Sequence, residues 1–153
     1  MKRILVVADV PELRRDIVSA ISDPDREIVE LPSGRMVRDS VFEESPSLVI
    51  LDSQIGSMGA FAVTQDLHLD EFDGTQGHIP VLILLDRRAD AWQARNFGAE
   101  GFIIKPFDPI RIRKAVREIL AGKTWFDPTY APEPHVALAP GAQPLPGLAG
   151  VTN

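Results

Sequence analysis

One stretch of the chain leaves few choices of fold: Pro46 to Phe61, PSLVILDSQIGSMGAF. Leu48, Val49, Ile50 and Leu51 form a charge-free apolar run, the pattern of a strand covered on both faces inside a parallel sheet. Asp52 ends that run and is expected at the strand's carboxyl end. In open α/β sheets ligands bind in the crevice outside the carboxyl ends of the strands, so position alone makes Asp52 a site candidate. At this point a loop aspartate capping the helix near Gly59 accounts for it equally well.

The rest of the chain repeats the same alternation. Strands are expected over Ile4 to Ala8, Glu27 to Leu31, Val81 to Leu85 and Gly101 to Lys105. Between and after them Leu13, Ile17 and Ile21 share a helical face, as do Val37, Val41 and Phe42, then Phe61, Thr64, Leu67 and His68, and finally Ile112, Val116, Ile119 and Leu120. A short fourth helix is expected over Ala89 to Phe97, halted by Gly98 in a left-handed cap. Pro11 and Pro109 suit first helical turns, where a missing N–H costs nothing, and Ser33 suits an N-cap. Five strand–helix units predict an α/β fold, a doubly wound five-stranded parallel sheet with five helices, because right-handed crossovers leave few other topologies.

Residues 1–122 form the expected domain. Beyond it the composition changes: Asp127 to Pro146 holds six of the 13 prolines and no Lys or Arg. Residues 123–153 are therefore expected to be an extended or disordered Pro/Ala/Gly-rich tail. Its Trp125, Phe126 and Tyr130 either pack back on the domain edge or serve as a docking motif.

Charge and composition exclude several classes. A net charge of -6 lacks the clustered cations that a nucleic-acid surface needs. The absence of cysteine excludes disulfides and thiolate metal sites. The apolar run Ile4–Ala8 stops at Asp9, short of a signal-peptide core. The longest apolar run, near Ile79 to Leu85, is too short to cross a bilayer, which places the protein in the cytoplasm without membrane insertion.

The candidate chemistry lies at strand ends. Asp9 follows the first strand, Asp52 ends the third and Lys105 the fifth, and a parallel sheet brings all three to one edge. Taken singly, Asp9 reads equally as a helix cap and Lys105 as a surface lysine; taken together, two carboxylates and an ammonium suit a hydrated magnesium ion and a phosphoryl group. Asp52 would then be the nucleophile and Lys105 a contact to a phosphoryl oxygen.

These pieces resemble the receiver domain of bacterial two-component response regulators. ILVVADVP at Ile4 to Pro11, LVILDSQIGSMGAF at Leu48 to Phe61, IPVLILL at Ile79 to Leu85 and GAEGFIIKPFDP at Gly98 to Pro109 carry the resemblance. It implies a flavodoxin-like sheet of order 2-1-3-4-5, with Asp52 as phospho-acceptor. It also implies Lys105 before a cis proline, and magnesium held by Asp9, Asp52 and the backbone carbonyl of Gln54. Four departures stand out. Ala8 replaces the first acid of the usual pair, which predicts weak magnesium binding. Leu85 replaces the switch Thr or Ser, and Phe102 stands at the aromatic switch position. The connection from Leu85 to Lys105 is shorter than the family's. Were the register to slip by one, Asp86 would fill the Leu85 slot, where a third carboxylate repels phosphate.

No output domain is recognisable after Lys123, so a stand-alone regulator is expected, and the resemblance implies that it accepts phosphate from a histidine kinase or phosphotransfer protein. It would act on an effector protein through the fourth helix, fifth strand and fifth helix, without enzyme turnover. A homodimer is left open. The competing class is an atypical receiver serving as a phosphorylation-independent interaction module, favoured by Ala8 and Leu85. A dehalogenase-like phosphatase needs a second acid two residues after the nucleophile, where Gln54 stands.

Overall fold

The computed structural model describes residues 1–54 and 59–130. The strands are β1 (Lys2–Val7), β2 (Arg26–Leu31), β3 (Leu48–Asp52), β4 (Val81–Leu85), β5 (Gly101–Ile104) and β6 (Trp125–Phe126). The helices are α1 (Pro11–Ile21), α2 (Val37–Glu43), α3 (Ala60–Phe72), α4 (Ala91–Asn96) and α5 (Pro109–Leu120). Short 3-10 turns precede α2 and α4 and follow β6.

All strands are parallel, in the order β2-β1-β3-β4-β5-β6. This is the doubly wound α/β fold expected, with one short strand added at the β5 edge. β3 and β4 are buried at every position, as their unbroken apolar runs require. Successive side chains alternate between the faces. Ile4, Val6, Leu48, Ile50, Leu82, Leu84 and Ile103 meet α1 and α5 on one side through Ile17, Ile21, Ile112 and Val116. Leu5, Val7, Val49, Leu51, Ile83, Leu85 and Phe102 meet α2, α3 and α4 on the other through Val37, Val41, Val63, Leu67 and Ala94. Each fully buried large apolar side chain contributes about 1.5–3 kcal/mol. The central strands therefore carry most of the stability and fix the strand ends where the site lies.

Local signals behave as their chemistry demands. Asp108 caps α5, its carboxylate accepting from the Arg111 N–H at 2.8 Å, with Pro109 at the first helical position. Ser33 Oγ accepts from the Arg35 N–H at 3.2 Å and caps the turn before α2. Gly98 closes α4 at φ 83°, in the left-handed region that favours glycine. α3 starts from Gly59 and α1 from Val10, so neither Asp52 nor Asp9 occupies the N-cap position.

Ordered structure continues past the expected boundary at residue 122. Trp125 and Phe126 pair with Gly101 and Phe102, and both aromatic side chains are half-buried against the domain. The hydrophobic pattern hides this strand because two residues are too few to show alternation. The remainder of the expected tail, residues 131–153, lies outside the described residues.

Candidate functional site

The carboxyl edge of the sheet collects the strand-end charges. Asp52 is the last residue of β3, and by alternation with Leu48 and Ile50 it faces the α1 and α5 side. It is 2% exposed. Lys105 directly follows β5 in the same alternation as Ile103, and its ammonium donates to Asp52 Oδ1. The two residues that sequence reasoning paired are thus in direct contact. Lys105–Pro106 is a cis peptide bond, as the resemblance implied.

The same ammonium also lies 3.1 Å from Asp86 Oδ1. Burial of Lys105 disfavours its charge, but the hydrogen bonds and attraction of Asp52 and then Asp86 outweigh this and hold its pKa above the ordinary lysine value. Asp86 in turn accepts from Ser53 Oγ at 3.3 Å, and the Ser53 N–H donates to Leu84 O at 2.9 Å. The outcome is a chain of polar contacts across three strand ends: Ser53, Asp86, Lys105, Asp52. A carboxylate paired with an ammonium at the carboxyl ends of the strands can act as a nucleophile, with the cation placed to offset the charge of an incoming anion.

Sequence reasoning missed Ser53 and gave Asp86 a place only through a register slip. Leu85 is the last residue of β4 and pairs with Ile104, while Asp52 pairs with Leu84. Asp86 reaches the site because the chain turns immediately after the strand, as it does at Asp9. An acid directly following an apolar run was the available signal.

Leu85 belongs to the opposite face. It is fully buried in the cluster with Phe102 and Ile104 that packs under α3 and α4, away from the Asp52 side. Phe102 is likewise fully buried in that cluster, with its ring centroid 5.4 Å from that of Phe126. The two expected switch positions therefore lie together in the apolar cluster on the α3 and α4 side of the sheet.

Asp9 lies just beyond β1 at the same edge and is exposed, and Gln54 is exposed in the turn after β3. Ala8 before Asp9 is fully buried and offers only a methyl group, while its backbone carbonyl accepts from Arg14 Nη1 at 2.5 Å. Among the described residues no cluster of three or more acids or histidines could hold a metal ion. What remains is two carboxylates and a carbonyl, all hard oxygens. Oxygen donors of this kind are the chemistry that magnesium takes, through one or two carboxylates with several waters or phosphoryl oxygens.

No helix among the described residues is long and apolar enough to cross a membrane. A family model described as a response regulator receiver domain matches residues 4–117. An uncharacterized response regulatory protein of Mycobacterium tuberculosis (strain H37Rv) is 30% identical over 124 residues, covering 77% of this chain and 90% of that protein. The ycf27 protein of Galdieria sulphuraria is 26% identical over 133 residues, covering 84% of this chain. The chain spans 50% of that ycf27 protein and 48% of the Cyanophora paradoxa one, about half the length of these relatives. Among solved structures, a LuxR-family two-component response regulator from Aurantimonas superposes with TM-score 0.71 at 27% identity, over 84% of this chain and 91% of that one. The chemotaxis response regulator CheY4 of Vibrio cholerae, at 20% identity and TM-score 0.68 over 78% of this chain and 98% of that one, shares the fold.

Proposed function

The chain belongs to the response regulator receiver family of two-component signalling, and on that footing we propose that Asp52 is its phospho-acceptor. The observation that carries this reading is the contact of Lys105 with an almost fully buried Asp52 at the carboxyl edge of the sheet. A carboxylate oxygen of Asp52 attacks the phosphorus of a phosphohistidine on a histidine kinase or phosphotransfer protein. The P–O bond forms as the P–N bond breaks, and the electron pair leaves on the imidazole nitrogen. Lys105 moves its charge from the carboxylate to a phosphoryl oxygen as negative charge is transferred. Asp9, Asp52 and the Gln54 carbonyl would hold a magnesium ion, which offsets phosphoryl charge when bound. The single acid beside Ala8 makes that binding weak.

The protein acts by contact with an effector and not by turnover of a substrate, in the cytoplasm. The surface of α4, β5 and α5 is the contact proposed, and Trp92 and Ile110 stand exposed on its helices. Beryllofluoride with magnesium tests the reading. Backbone amide shifts should appear around Asp52 and Lys105 and vanish in Asp52→Asn.

A second reading is favoured by Leu85 and Asp86. With no hydroxyl at the end of β4, and with Asp86 sharing Lys105, phosphorylation has little leverage on the rest of the fold. The same surface would then serve as a constitutive protein-binding module.

A further inference from the structure

We propose that the outer edge of β5 is a strand-addition site, filled in cis by the chain's own residues Trp125 to Thr129, whose partner is an extended peptide carrying an aromatic residue followed by a carboxylate. The inference goes beyond the acceptor reading and stands without it.

Without β6, β5 would end the sheet with a row of unpaired backbone groups, a ready template for another strand. The segment after α5 takes that place. The Trp125 N–H donates to Glu100 O at 2.9 Å and the Asp127 N–H to Phe102 O at 3.0 Å. Only two residues pair, and so short a ladder is marginal by itself. Two side-chain features hold it. Phe126 packs on Phe102 with ring centroids 5.4 Å apart, and the Arg95 guanidinium lies 4.5 Å from the Phe126 centroid. Asp127, 1% exposed, accepts from the Ile104 N–H at 2.9 Å and from Arg111 Nη1 at 2.6 Å.

The receiving half is prepared for these groups. Arg111 also donates to Asp108 Oδ2 at 3.1 Å and to Pro106 O at 2.6 Å, two contacts that do not involve the added segment. Gly101 lets the strand approach: a Cβ there would sit 2.5 Å from Trp125 O. The remaining bonds to Asp127, from the Thr129 N–H at 3.0 Å and Thr129 Oγ1 at 2.8 Å, come from the segment's own turn. Recognition therefore divides into a built edge and a short ligand, and β-augmentation of this kind takes affinity from backbone bonds and specificity from side-chain pockets. The ligand half is tethered to α5 by a short connection, so a partner in trans competes against a high effective concentration.

The test uses the full chain, the full chain carrying Asp127→Ala, and a fluorescent peptide spanning Thr124 to Tyr130. In the variant the Ile104 amide should exchange faster. The peptide should bind the variant saturably, restore Ile104 protection, and bind the parent at least about tenfold more weakly because the tethered segment competes. The same peptide with its aspartate changed to alanine should not bind. Equal binding to parent and variant, an unchanged Ile104 amide, or no binding by a variant whose Ile104 amide has accelerated would each overturn the proposal. Should Asp127→Ala fail to fold, Phe126→Ala replaces it and the same outcomes decide.

Discussion

The Lys105 ammonium lies 3.1 Å from Asp86 Oδ1 while it pairs with Asp52, so one cation is shared between the candidate acceptor and a neighbouring acid. An anion approaching Asp52 must draw Lys105 away from Asp86 and must approach the Asp86 charge as well. Replacing Asp86 by asparagine removes both obstacles. Asp86→Asn is expected to speed phosphorylation of Asp52 by acetyl phosphate several-fold, read as initial rates by intact mass. A slower or unchanged rate would show that Asp86 helps to aim Lys105.

Ala8 governs the metal. Ala8→Asp restores an acid beside Asp9 and is expected to raise magnesium affinity and phosphorylation rate together. Residue 8 is fully buried. The added carboxylate should therefore cost on the order of 1–3 kcal/mol of stability without metal, through desolvation and repulsion from Asp9. Equal magnesium titrations in the two proteins would remove the argument.

Leu85 decides how far a phosphoryl group is felt. It lies in the apolar cluster with Phe102, so modification of Asp52 should couple to the α4, β5 and α5 surface by less than about 1 kcal/mol. Because the side chain at this position points into that cluster and away from Asp52, Leu85→Thr is expected to leave the coupling small while losing about 1–3 kcal/mol of stability from a hydroxyl placed among apolar side chains. Amide shifts around Phe102 with and without beryllofluoride measure it. Large, equal responses in both proteins would place the switch elsewhere.

The opposite edge of the sheet carries a pH-dependent clasp. His78 Nδ1 lies 2.9 Å from Glu71 Oε2, and Nε2 lies 2.5 Å from Glu100 Oε1. The bond to Glu71 is the main cause of a raised His78 pKa; burial opposes it and Glu100 adds to it. Because the folded value exceeds the ordinary one near 6.5, this stability is fully present below that pH and is lost as pH rises through the raised value. Melting temperatures of the parent and His78→Gln should differ most in mild acid and converge as pH rises. A difference constant with pH would contradict it.

The parallel sheet was legible because Ile4 to Ala8, Leu48 to Leu51 and Val81 to Leu85 are continuous apolar runs, and such runs have few other homes. Asp52 followed from its place at the end of the second of those runs, and Lys105 from its place at the end of the strand that starts at Gly101. Asp86 and Ser53 were less legible because their roles come from two loops meeting in space. β6 was hidden for a different reason. Its recognition rests on the buried Asp127 and on Arg111 from another element, and in sequence that aspartate reads as the start of a proline-rich tail.

The central claim is that Asp52 is the acceptor, and one measurement tests it most directly. The full chain is incubated with magnesium and acetyl phosphate and its intact mass followed, beside Asp52→Asn. The account predicts one phosphoryl group on the parent, labile to hydroxylamine as an acyl phosphate is, and none on the variant. Equal labelling of Asp52→Asn, or a parent that stays unmodified even with Asp86→Asn and Ala8→Asp in place, would contradict it.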